Sequence, residues 1–106
     1  MREYTTPTYN ITIKYRDGTV ASDLQFDYVL FTLTNECGII EKKVMYEDTT
    51  EGKFEIDFTQ EETGRLKPGS AECEINVMYG EKRIASVIKR ITIGKNLHKG
   101  VISNDT

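Results

Sequence analysis

The 106-residue chain has no tryptophan, two cysteines, two prolines and one histidine, and no apolar run approaches the roughly 18 residues of a membrane-spanning helix. Each absence excludes something. Without tryptophan, the cysteine–tryptophan–cysteine signature of antibody domains cannot be present. Cys37 and Cys73 form no Cys-x-x-Cys pair, and His98 lies far down the chain, so no zinc ligand set exists and no metal or other cofactor is expected. The opening stretch MREYTTPTYNITIKYRDG holds no apolar core of the signal-peptide kind, which predicts synthesis in a cytoplasm-like compartment and no membrane partner. Parity alone leaves a disulfide between the cysteines open. Cys73 alternates with Ile75, Val77 and Tyr79, however, on what reads as a buried strand face, and this favours free thiols.

Catalytic signatures are also missing. Carboxylates fall mostly at the polar positions of alternating runs, as Glu55 with Asp57 and Glu72 with Glu74 do, where solvation is their ordinary state. The acidic pairs Glu47-Asp48 and Glu61-Glu62 lack the ligand rhythm of a calcium loop. Either cysteine would need His98 as its base, and glycines stand at turns instead of opening a helix around a phosphate. The expectation is a protein that is not an enzyme.

What remains is enough for one small folded domain. Hydrophobic residues make up 38% of the chain and charged residues 29%, which suits a single core and argues against general disorder. Turn signals at Asp17-Gly18, residues 35–38, residues 48–52, Pro68-Gly69 and Gly80-Glu81 cut the chain into short pieces with strand periodicity. TYNITIKY places Tyr9, Ile11, Ile13 and Tyr15 on one face. GKFEIDFT alternates cleanly, with Phe54, Ile56 and Phe58 inward. FDYVLFTLTN is apolar on both faces, as a central strand or one leading into a subunit contact would be.

Thr59-Gln60-Glu61-Glu62 has the form of a capping box, and Gly64 with Pro68-Gly69 allows only a short helical turn after it, with Leu66 plugging the core. In the final strand Ile84 and Ile88 differ in phase from Ile91 and Ile93, which predicts a bulge or a sheet crossing near Lys89-Arg90. The pattern predicts an all-β fold, an antiparallel immunoglobulin-like β-sandwich of about seven strands with one short helical turn, over residues 1–94. Residues 95–106 lose periodicity and read as a flexible tail or linker.

Charge is unevenly placed. Residues 1–80 carry 8 basic and 15 acidic side chains, net −7, while residues 81–106 carry 6 basic and 2 acidic, net +4. Complementary potentials of this kind steer association, so Lys82, Arg83, Lys89 and Arg90 form the candidate interaction surface. A solvated hairpin is the plainer reading of the same charges. Nucleic acid is not an expected partner, because the net charge is −3 and no aromatic platform interleaves the basic residues.

Four stretches, IKYRDGT, YVLFTLTNECG, FEIDFTQEETGRLKPGSAECEINVMYG and IKRITIGKN, resemble in order and kind the immunoglobulin-like β-sandwich domains of bacteriophage tails, including the N-terminal domain of baseplate upper proteins. Ser70-Ala71 follow the Pro-Gly turn where that pattern would place an aromatic. The resemblance implies a virion structural protein, made in the host cytoplasm, that assembles with other virion proteins or with copies of itself and uses no cofactor. A carbohydrate-binding or adhesion module using some of the six tyrosines is the second reading, and a small enzyme is the third.

Overall fold

Period-two alternation produces six strands among the described residues, which in this computed structural model are 1–95, 100 and 102. They are β1 (Thr8–Thr12), β2 (Tyr28–Asn35), β3 (Gly38–Met45), β4 (Lys53–Asp57), β5 (Gly69–Tyr79) and β6 (Lys82–Ile93). All pairings between these six strands are antiparallel, in a four-stranded sheet ordered β3-β2-β5-β6 and a two-stranded sheet β1-β4. The fold is therefore all-β, with six strands in place of about seven. Around the Asp17-Gly18 turn the chain forms only a single bridge, between Lys14 and Val20.

The two sheets meet over one core. Phe54, Ile56 and Phe58 come from the β4 side and Val29, Phe31 and Leu33 from β2, all buried. The Phe58 ring stands edge-on to Phe31 and to Tyr9, with centroids 5.7 and 5.5 Å apart. β2 is central, as its two-faced apolarity predicts. Edge strand β3 turns Lys42 inward, where its ammonium lies 5.9 Å from the Phe58 ring and 2.5 Å from the Glu62 carboxylate.

The capping box forms as the sequence predicts: the Glu62 amide donates to Thr59 Oγ1 and the Thr59 amide donates to Glu62 Oε1, opening α1 (Gln60–Gly64). Leu66 is buried behind it. Buried Thr63 accepts from the Thr5 amide and donates to the Thr5 carbonyl, which anchors the segment leading into β1.

β5 and β6 form a long hairpin closed by Gly80-Glu81. Asp27 fixes its tip: the Gly80 amide donates to Asp27 Oδ2 at 2.5 Å, and the Asp27 amide donates to the Met78 carbonyl. Twelve residues at about 3.3 Å each make β6 about 40 Å long, close to the 46 Å long axis of the molecule. Cover at its far end comes from the N-terminus, where Arg2 bridges Gly94 and Met1 and Glu3 exchange backbone bonds with Gly94. The expected tail, residues 95–106, lies largely outside the described residues, as does His98; Ile102 exchanges two hydrogen bonds with the Gln60 side chain.

The bulge lies elsewhere than the isoleucine phases predict. The register shift in the hairpin lies between Val77 and Met78, where β6 runs from Ala85 to Arg83 and leaves Ile84 as the extra residue, not near Lys89-Arg90. From Ala85 to Ile93 the pairing is regular. Ile88 and Ile91 differ in phase because they occupy opposite faces of the sheet, opposite Glu74 and Ala71 respectively.

Candidate functional site

Inner-face residues of β6 are those opposite the inner residues of β5: Ile93, Ile91, Lys89, Val87 and Ala85. Along this row cover is lost stepwise. Ile93 is buried, Ile91 half-buried, and Lys89, Val87 and Ala85 exposed. The reason is the difference in sheet width: two strands cannot cover four, and β1-β4 lies over β2 and its neighbours. Every residue from Lys82 to Arg90 is exposed on both faces, including Ile84 (43%), Val87 (44%) and Ile88 (61%).

The uncovered floor and the side of β1 enclose a groove of about 560 Å³. β1 and the two residues after it contribute Tyr9 to Lys14, β5 contributes Cys73, Ile75 and Val77, and β6 contributes Ala85 to Val87, Lys89 and Ile91. Among the described residues β1 pairs only with β4. The Ile13 amide donates to the Gly52 carbonyl on the β4 side. By the alternation of an antiparallel ladder, the backbone groups of Asn10, Thr12 and Lys14 therefore face the groove.

Among the described residues two charged side chains line the groove, Lys14 and Lys89, and no carboxylate does. Burial pushes the Cys73 thiol upward in pKa, and the positive charge of Lys89 partly opposes it. Burial also pushes the Tyr9 phenol up, with Cys73 adding to the shift. Cys37 and Cys73 are both free, the first exposed on the β2–β3 turn and the second buried at the groove floor.

The four predicted interaction residues do not make one patch. Lys89 stands opposite Cys73 on the inner face. Arg90 stands opposite Glu72 on the outer face, with a guanidinium to carboxylate distance of 4.0 Å between two exposed side chains, an arrangement that contributes little. Lys82 and Arg83 pair with Tyr79 and Met78 beside the bulge. On the outer face Asn76 is buried opposite Ser86; it donates to Glu74 Oε1 and leaves its own Oδ1 without a partner.

The tyrosines are likewise dispersed. Tyr15 donates to Asp23 Oδ1, Tyr46 packs edge-on against Phe26, and Tyr28 lies under the Lys43 ammonium at 4.2 Å. Reading the charges alone misses the apolar half of the site. The available signal is KRIASVIKRITI itself, with apolar residues in both phases and no acid. Compared with protein-family models, curated proteins and solved structures, the chain matches none.

Proposed function

We propose that this chain is a non-catalytic assembly module, an immunoglobulin-like domain of the kind found in phage tails and baseplates, which joins neighbouring virion proteins through protein–protein contacts. The observation that carries the reading is the exposure of β6 on both faces over Lys82–Arg90, with three large aliphatic residues among four basic ones. A long unpaired edge is a hazard for a free monomer unless charge guards it or a partner covers it. The basic residues account for guarding. They give no reason for Val87 and Ile88 to stand in water, whereas a covering partner does.

Sedimentation across a salt series, alone and with the products of adjacent genes, tests this reading. The wild type should associate with itself or with a neighbour, and Lys89→Glu with Arg90→Glu should weaken that association most at low salt, since such charges are screened within about 10 Å at 0.1 M. A wild type that stays monomeric and binds no neighbour contradicts it.

A further inference from the structure

Three features meet at one place: a strand whose second edge is unpaired among the described residues, an apolar floor beside it, and cationic walls with no carboxylate among the described lining. The free edge of β1 presents the backbone groups of Asn10 and Thr12, and Lys14 follows two residues beyond them. The floor presents Ile75, Val87 and Ile91, and the charged lining is Lys14 and Lys89. We propose that the groove receives an extended partner segment of alternating apolar and acidic residues, which adds to β1 as a third strand of the β1-β4 sheet and covers the bare inner face of β6. This rests on the assembly reading and specifies its geometry.

Each feature matches one property of such a segment. Backbone pairing to β1 supplies affinity without regard to sequence, and alternate side chains then point into the groove. Those facing Ile75, Val87 and Ile91 must be apolar. Carboxylates at the remaining positions answer the ammonium groups of Lys14 at the rim and of Lys89, which rises from the floor between Val87 and Ile91. The segment would restore to β6 the inner cover that β2 and β5 already have.

Charge also decides against a second copy of this chain as the occupant. β6 has four basic residues and no acid, β1 has no acid, and the remaining edge of the large sheet, β3, carries Glu41 with Lys42 and Lys43. The acid-bearing strands β4 and β5 have their apolar faces buried in their own core. Among the described residues, no unpaired strand of a second copy is both acidic and free to insert.

The test uses the full chain and four synthetic eight-residue peptides: valine or isoleucine alternating with glutamate, the same with lysine for glutamate, the acidic peptide N-methylated at alternate amides, and its scrambled form. Fluorescence anisotropy gives affinity, and amide chemical shifts with hydrogen exchange give location. The acidic alternating peptide should bind at least tenfold more tightly than the other three, protecting the Asn10 and Thr12 amides and shifting Val87 and Ile91. Lys14→Glu with Lys89→Glu should reverse the preference between the acidic and lysine peptides.

Absence of binding by the acidic peptide, equal binding of the acidic and lysine peptides, or indifference to N-methylation would each overturn the proposal. So would self-association that protects the same β1 amides, since a second copy would then be the occupant. Protection confined to β3 or to the outer face of β6 would overturn strand addition while leaving the assembly reading standing. That reading fails separately, when sedimentation finds no partner at all.

Discussion

Cys73 and Lys89 stand directly opposite each other on β5 and β6, on the same face of one sheet, yet Cys73 is 7% exposed while Lys89 is open to solvent. One inter-strand step separates covered from uncovered sheet. A thiol-reactive maleimide should therefore label Cys37 at the rate of a free thiol and Cys73 far more slowly, with both labelled after denaturation without reductant. Burial reinforces this ordering, because it raises the Cys73 pKa and lowers its thiolate fraction. Equal native rates for the two would show that the groove floor is open to water.

Phe58 touches both sheets, through Phe31 and Tyr9. Phe58→Ala should lower unfolding free energy by about 3–5 kcal/mol in a urea titration. Val87→Ser, at an exposed position, should stay within about 0.5 kcal/mol of wild type. A Val87→Ser variant as damaged as Phe58→Ala would mean that β6 is covered in the monomer.

Gly52 positions the end of β1. Its φ is +79°, its carbonyl accepts from Ile13, and a Cβ there would lie 2.9 Å from the Ala21 carbonyl oxygen. Backbone on that side cannot rotate away, so Gly52→Ala should cost more than the roughly 1 kcal/mol usual for strain at positive φ. Thermal unfolding checks this, and an unchanged midpoint would contradict it. Gly80 also has positive φ (60°) but meets nothing within 4 Å, so Gly80→Ala should be milder.

Much of this architecture was legible in the residues, and the limits of legibility have physical causes. Phe54, Ile56 and Phe58 declared their face because both sides of β4 have fixed environments, core and water. Thr59 and Glu62 declared the cap because its bonds are local in sequence. Ile84, Ile88 and Ile91 mislead: their phase suggests a slip near Lys89-Arg90, although apolar residues on opposite faces need none when neither face is fully covered. Periodicity reports which way a side chain points, and it cannot report whether another sheet reaches that far. The groove depends on the width of β1-β4 relative to β3-β2-β5-β6, and no local pattern encodes that difference.

Stability should also carry the signature of Glu62. Burial acts to raise its pKa, but the Lys42 ammonium and the Thr59 amide outweigh it, so the folded carboxyl titrates below the ordinary glutamate value. A lowered folded pKa contributes stability that is present above the unfolded pKa and is lost as pH falls through the folded one. Urea midpoints measured downward from neutral pH should therefore fall less steeply through the acidic range in Glu62→Gln than in wild type. Parallel pH profiles would mean that the pair contributes nothing.

The central claim is that the free edge of β1 and the bare face of β6 are where this domain meets its partner. Amide hydrogen exchange of the whole chain, with and without the partner protein identified by sedimentation, tests it most directly. The account predicts new protection at Asn10 and Thr12 in β1 and reduced accessibility along Ala85–Ile91 in β6, with little change in β3. Full complex formation with Asn10, Thr12 and β6 exchanging as in the free chain would contradict it.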